Sequence, residues 1–339
     1  MKIQNFALIF YFLFICNICN AQDKIDVLLK EGIQYHDQGE FEKAIQSYKK
    51  ALKLEPNSTL INYEIAMSSF SMGDYESAIK YSDAVLARKS EHMILAYVTK
   101  GSSLDVLGKT KESIKLLQKA IKKEGAHYLL CYNLALNYFK MGELDSSETY
   151  AIKAIQDKSS HPTSHLLLAT LHDKQGNSVK TLLAAHYFLF LEPNTGRSQE
   201  AYKMIRNLFT KNVSENEDGS INLIVPSMGN QVDNFSTGEL SISMIQASNS
   251  LEENKDKTDN ELFFENTESI FKILGELDDK SEESIWWTFY VDFFYTLAES
   301  KHLRTYCNYI SQSSDPLAIE WLEENRAQLI EFDNWVNKN

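Results

Sequence analysis

Glycine recurs along this 339-residue chain at Gly39, Gly73, Gly108, Gly142 and Gly176, at intervals of 34, 35, 34 and 34 residues. A fixed period of this length constrains the fold more than any other feature of the sequence. It means that the chain repeats one supersecondary unit, too small to bury its own apolar face, and stacks the copies into an array. An array presents surface and seldom carries chemistry. The period therefore points to a binding function and away from a single enclosed active site.

Only 5 prolines and 13 glycines occur in the whole chain. Helix formers fill the intervals, so the class is all-α. Written from Ile25, the units run 25–58, 59–92, 94–126, 128–160 and 162–194. A small residue falls seven positions before each marker glycine: Gly32, Ala66, Gly101, Ala135 and Ala169. Five after it come Ala44, Ala78, Ser113, Ser147 and Thr181; twelve after it come Ala51, Val85, Ala120, Ala154 and Phe188. Small side chains at these sites let two helices of one unit approach closely. The marker glycine ends the first helix, where a left-handed conformation costs glycine little. Pro56 and Pro193 follow the second helix of the first and fifth units and cannot continue it.

Residues 25–194 resemble five tetratricopeptide repeats. The first unit matches the family pattern at Gly32, Tyr35, Gly39, Ala44, Tyr48, Ala51 and Pro56. The fourth keeps Leu134, Ala135, Tyr138, Gly142 and Ala154, and the third keeps Tyr97, Gly101, Gly108 and Ala120. The fifth departs most, with Thr181 and Phe188 where small residues are usual, as a terminal repeat would. The resemblance covers about half of the chain. It implies a right-handed superhelix of helical hairpins, with a concave groove lined by the first helix of each unit.

In the register the resemblance sets, groove positions step three, four and three along each first helix, which keeps them on one face. The second unit places Leu60, Tyr63, Met67 and Phe70 there. The third places Leu95, Val98, Ser102 and Asp105, and the fourth Leu129, Tyr132, Leu136 and Phe139, with Asn133 beside them. The candidate protein-binding residues are Tyr63, Met67, Phe70, Val98, Tyr132, Asn133, Leu136 and Phe139. Aromatic anchors on either side of a small, polar centre suit a peptide or a helix. Relatives that grip a terminal carboxylate do so with Lys, Asn and Arg. The matching positions here are Leu29, Ile33, Glu64, Leu95 and Thr99, which disfavours that mode.

Before the repeats, Lys2, the apolar run Phe6–Ile18 and the small residue at Ala21 read as a secretory signal over residues 1–21, cleaved before Gln22. The run resembles a Gram-negative bacterial export signal and implies the periplasm or secretion. It is short against the roughly 20 residues of a membrane span. An uncleaved anchor and a lipoprotein are the weaker alternatives. Only Cys131 and Cys307 lie beyond it, so a disulfide framework is excluded and two buried thiols are expected.

After the repeats, 196–212 reads as a capping helix and 213–236 as a linker, with a strand at Ile221–Val225. Residues 237–339 read as an acidic helical domain, with helices at 237–251, 260–277, 282–300 and 316–336. From 22 to 213 the chain has 25 Lys and Arg against 22 Asp and Glu; from 214 to 339 it has 8 against 25, a net −17. That balance argues against nucleic acid and anionic membrane as partners. No lipid is expected beyond association with the envelope. The run Ile285–Leu297 is apolar nearly all round and reads as a buried helix.

Reactive side chains are sparse. Asp292, His302, Arg304, Tyr306, Cys307 and Tyr309 form one cluster, but His302 and Cys307, five apart, fall on different faces of a helix. His161 and His165 have zinc-like spacing, but Pro162 between them marks a helix start and leaves His161 outside it. His165 and His172 fall at packing sites between the helices of the repeat. No phosphate loop, dinucleotide fingerprint or metal-binding cysteine pattern occurs, so no cofactor or metal is expected. The sequence thus reads as a non-enzymatic protein-interaction scaffold of the cell envelope. The alternatives are an enzyme in the C-terminal domain with the repeats recruiting substrate, and an autoinhibited binder whose groove its own acidic half covers.

Overall fold

The computed structural model describes residues 22–210, 213–215, 221–223, 235–251, 254, 256–277 and 283–338. The export segment falls outside them. Five helical hairpins come first: α1 (22–37) with α2 (Phe41–Leu54), α3 (Thr59–Met72) with α4 (Tyr75–Leu86), α5 (Met93–Val106) with α6 (Thr110–Glu124), α7 (Tyr128–Met141) with α8 (Leu144–Asp157), and α9 (Pro162–Gln175) with α10 (Ser178–Leu191). α2 also packs on α3, α4 on α5 and α6 on α7, and α3, α5 and α7 touch in turn. Among the described residues the protein is all-α apart from a short ladder in which β1 (Val213–Glu215) pairs antiparallel with β2 (Ile221–Leu223).

The five marker glycines all stand at positive φ, between 76° and 88°. At Gly73 the chain closes the helix by donating Gly73 N–H to Phe70 O at 3.0 Å and Asp74 N–H to Ser69 O at 2.9 Å. This satisfies carbonyls that the helix end would leave bare. The second use of small residues is steric. A Cβ at Gly32 would lie 2.3 Å from the ring of Tyr48, itself fully buried between the first two repeats. Gly32→Val is expected to cost about 1–3 kcal/mol by overpacking, seen as a lower urea midpoint in far-UV circular dichroism. An unchanged midpoint would mean that Tyr48 swings aside freely.

Contacts divide the chain into two compact units, one ending at Asp157 and one beginning at Lys158. The fifth hairpin therefore groups with the C-terminal helices. In that second unit α10 meets α11 (Gly196–Thr210), α12 (Ser236–Asn249), α15 (Leu303–Ser311) and a π-helical turn, Trp286–Val291. Every residue from Val179 to Leu189 is buried. In α2, which has solvent along one side, only Ala44, Ile45, Ser47, Tyr48 and Ala51 are. The sequence of α10 is apolar on all sides because neighbours cover all of them.

The remaining helices of this unit are α13 (Asp259–Glu276), α14 (Asp292–Ala298), α16 (Pro316–Glu324) and α17 (Arg326–Val336). The run expected as one helix over 282–300 enters through the π turn before continuing as α14. The expected 316–336 helix breaks at Asn325, whose side chain donates to Trp321 O at 2.8 Å. α15 was not expected. Its buried Leu303, Tyr306, Cys307 and Ile310 nevertheless have helical spacing. Gly275 lets α13 and α14 touch, since a Cβ there would lie 2.1 Å from the Tyr295 ring.

Candidate protein-binding groove

The repeat register decides which side chains the first helices leave part-exposed. In α3, Ile61, Asn62, Ile65, Ala66, Ser68 and Ser69 are buried, while Tyr63, Met67 and Phe70 are half-buried. In α7, Leu130, Cys131, Leu134, Ala135, Asn137 and Tyr138 are buried, while Tyr132, Asn133, Leu136 and Phe139 are half-buried. Val98 and Ser102 of α5 lie half-buried in the same register. All eight sequence-derived candidates are partly exposed; seven of them follow the three-four-three line, and Asn133 sits beside it.

Polar bonds fix this line from within. Thr99 Oγ1 donates to the Met67 sulfur at 3.3 Å, tying α5 to α3. Asn133 Nδ2 donates to Leu129 O at 2.8 Å, and its Oδ1 accepts from Ser102 Oγ at 3.3 Å, tying α7 to α5. Asp105 takes an ion pair from Lys140 and a hydrogen bond from Thr110 Oγ1 at 2.7 Å. The Tyr63 ring stacks on His92 at 5.7 Å, and Phe70 meets Tyr75 edge-on at 5.5 Å. Groove aromatics held by neighbours lose little side-chain freedom when they meet a ligand.

A family model described as TPR repeat matches residues 32–73, and one described as tetratricopeptide repeat matches 61–92 and 128–156. Residues 32–92 and 128–156 thus match tetratricopeptide repeats. It is 25% identical over 140 residues to the TPR repeat-containing protein MJ1428 of Methanocaldococcus jannaschii, a stretch covering 41% of this chain. The match spans about a quarter of that relative, 24% of its length. Among solved structures it is similar to Pseudomonas aeruginosa PilF, with 20% identity and a TM-score of 0.48 over 56% of this chain and 86% of that one. It is also similar to a thermophilic tetratricopeptide repeat protein of Thermus thermophilus, TTC0263, with 19% identity and a TM-score of 0.47 over 53% of this chain and 98% of that one. At these identities the likeness is one of fold.

Within the tetratricopeptide array, Glu64 stands where a carboxylate-gripping relative has a different side chain. It is half-buried, accepts from Tyr48 Oη at 3.5 Å, and burial raises its carboxyl above the ordinary range. A second anion there would meet it unfavourably.

The fifth repeat shows what its histidines do. α9 begins at Pro162, and His161 lies before it with Nδ1 2.8 Å from Ser164 Oγ. His165 stacks on Tyr187 of α10 at 4.6 Å, the expected packing within the repeat. It also reaches into the C-terminal half, a partner that sequence reasoning missed. Its Nε2–H donates to Ser159 O at 2.8 Å, which leaves Nδ1 to accept from Tyr290 Oη at 2.6 Å. His186 Nδ1 lies 2.8 Å from Tyr306 Oη, and that hydroxyl donates to His186 O at 3.2 Å. His172 meets the Trp286 ring edge-on at 5.0 Å. Among the described residues no group of His, Cys, Asp and Glu is arranged to hold a metal ion.

Burial lowers His165 to about 4 and His186 to about 3, so both are neutral at ordinary pH. Of the cluster read as reactive, His302, Tyr306 and Cys307 are buried in the core. Cys307 is buried and free, with its thiol pushed far above the usual range by burial, which silences it as a nucleophile. Cys131 is also buried and free, raised to about 11. His302 lies against the rings of Phe332 and Trp335, and Asp292 is exposed.

Proposed function

We propose that this chain is an exported, non-enzymatic scaffold of the cell envelope that binds a peptide or a helix along the groove of its repeats. One observation carries the reading: Tyr63, Met67, Phe70, Val98, Tyr132, Asn133, Leu136 and Phe139 recur in register as half-buried side chains between buried neighbours. An apolar line interrupted by Ser102 and Asn133 offers rings to side chains and an amide to a backbone. Export rests on the residue pattern at 1–21, which supports a groove that works in the periplasm or outside the cell.

The autoinhibited alternative would have the acidic half lie along the groove. In the fifth repeat the C-terminal helices instead cover α10, while Thr163, Leu166 and Thr170 of α9 stay half-buried and Asp173 is exposed. Within the fifth repeat, that arrangement leaves the α9 positions in the groove register partly exposed.

The test is affinity capture from envelope extract with the mature protein. Tyr63, Phe70, Tyr132 and Phe139 are changed to Ala together. Each lost aromatic anchor is worth more than about 1 kcal/mol, so specific partners are expected to fall by at least about tenfold. An unchanged partner set would overturn the groove reading.

A further inference from the structure

α17 is an unusual helix for the end of a packed unit. Of its 11 residues only Phe332 is buried. Leu329 and Val336 are half-buried, and Ile330 is 63% exposed. On α16, Leu317 and Ile319 are 59% and 44% exposed. Leu329, Phe332, Asp333 and Val336 follow the i, i+3, i+4, i+7 spacing of one helix face. That face borders a groove of about 450 Å³ whose other wall is Phe190 and Leu191, at the end of α10, and Tyr309 of α15. The floor is aromatic: Phe332 lies 6.3 Å from the Phe190 ring and 6.1 Å from Tyr309.

We infer that this groove between α10, α15 and α17 is a second docking site, for a basic amphipathic helix of a partner protein. The apolar part follows from the walls. A groove of this size takes two or three large side chains, and a helix supplies them at the spacing α17 itself shows. The basic part follows from charge. Among the described residues Asp333 is the one charged side chain lining the groove; it is exposed, and its charge adds to burial in raising the Tyr309 phenol. The two helices beside it are acidic in sequence: the stretch 315–338 has Asp315, Glu320, Glu323, Glu324, Glu331 and Asp333 against Arg326 and Lys338, and of these Glu331 is paired with Lys301. An acidic helix would be repelled by this rim. A lysine or arginine set among apolar side chains would meet Asp333 at the groove edge. The inference does not rest on the repeat groove.

The test uses two fluorescein-labelled 18-residue peptides with leucines at the same helical spacing, one with lysine and one with glutamate elsewhere. Binding to the chain from residue 22 onward is read by fluorescence anisotropy. The lysine peptide is expected to bind and the glutamate peptide to bind at least about a hundredfold more weakly. Leu329→Ser with Val336→Ser leaves the charge unaltered and is expected to weaken the lysine peptide about tenfold or more. Asp333→Asn, an exposed and conservative change, is expected to weaken it about three- to tenfold and to reduce its salt dependence. Tyr63→Ala with Phe70→Ala is expected to leave it unchanged. Equal binding of the two peptides overturns the proposal, as does binding that survives both α17 variants or that is lost with Tyr63 and Phe70.

Discussion

Phe294→Ala is expected to remove about 3–5 kcal/mol from the second unit. Phe294 is fully buried and stacks on Phe271 at 4.5 Å. It also meets the rings of His186 and Tyr187 in the fifth repeat, and of Phe293 and Tyr306 beside it. Truncation leaves a void that none of these rigid rings can fill. The measurement is simplified by the sequence, since all four tryptophans, Trp286, Trp287, Trp321 and Trp335, fall in this unit. Urea unfolding followed by tryptophan fluorescence therefore reports on the second unit alone, and circular dichroism reports on both. With a urea dependence of roughly 1–3 kcal/mol per molar, the fluorescence midpoint should fall by more than about 1 M. The circular dichroism should retain a transition near its original position. A single transition shifted equally in both signals would mean that the two units unfold as one.

The second large effect is acid lability. His165 and His186 are held neutral in the fold at about 4 and about 3, whereas an unfolded histidine titrates near 6.5. Between those values the unfolded chain binds more protons than the folded one. Stability is therefore complete above about pH 6.5 and is lost as pH falls through the window down to the folded values. At pH 5 each histidine accounts for a loss of about 2 kcal/mol relative to pH 7.5, so the pair accounts for about 4 kcal/mol. The tryptophan midpoint in urea should fall accordingly. His165→Gln, which cannot take up a proton, should flatten the pH dependence by about half of that amount. An unaltered slope in this variant would show that His165 is protonated in the fold without penalty.

The parts of this structure that are local in sequence were the legible ones. Each marker glycine answers a backbone demand within its own turn, and the five φ values near 80° match that reading. The groove line followed, because a period fixes a register and a register fixes a face. What the sequence hid depends on partners far apart. His165 and Tyr290 are 125 residues apart, and nothing in either neighbourhood marks the other. The signal that was available lies in α10, where TLLAAHYFLFL leaves no polar face and so requires cover on every side. Thr181 and Phe188 mark a terminal repeat, but the apolar run around them is the larger signal. α15 was obscured in a different way. His302, Arg304, Tyr306, Cys307 and Tyr309 drew attention as chemistry, while the spacing of Leu303, Tyr306, Cys307 and Ile310 carried the structural information.

The marker glycines also have a stereochemical consequence. At Gly39, Gly73, Gly108, Gly142 and Gly176 a Cβ of L configuration would meet no atom within 4 Å, so space does not forbid a side chain there. The obstacle is handedness alone, because positive φ is strained for an L residue. For a D residue the same backbone is the relaxed one. A chemically assembled repeat carrying D-alanine at these five turns would keep each hairpin's geometry and restrict the unfolded chain, a gain of about 0.4–1 kcal/mol per turn by analogy with glycine replacement at compatible sites. The period that defines the array is thus a set of mirror-image positions, filled by the one natural residue that has no hand.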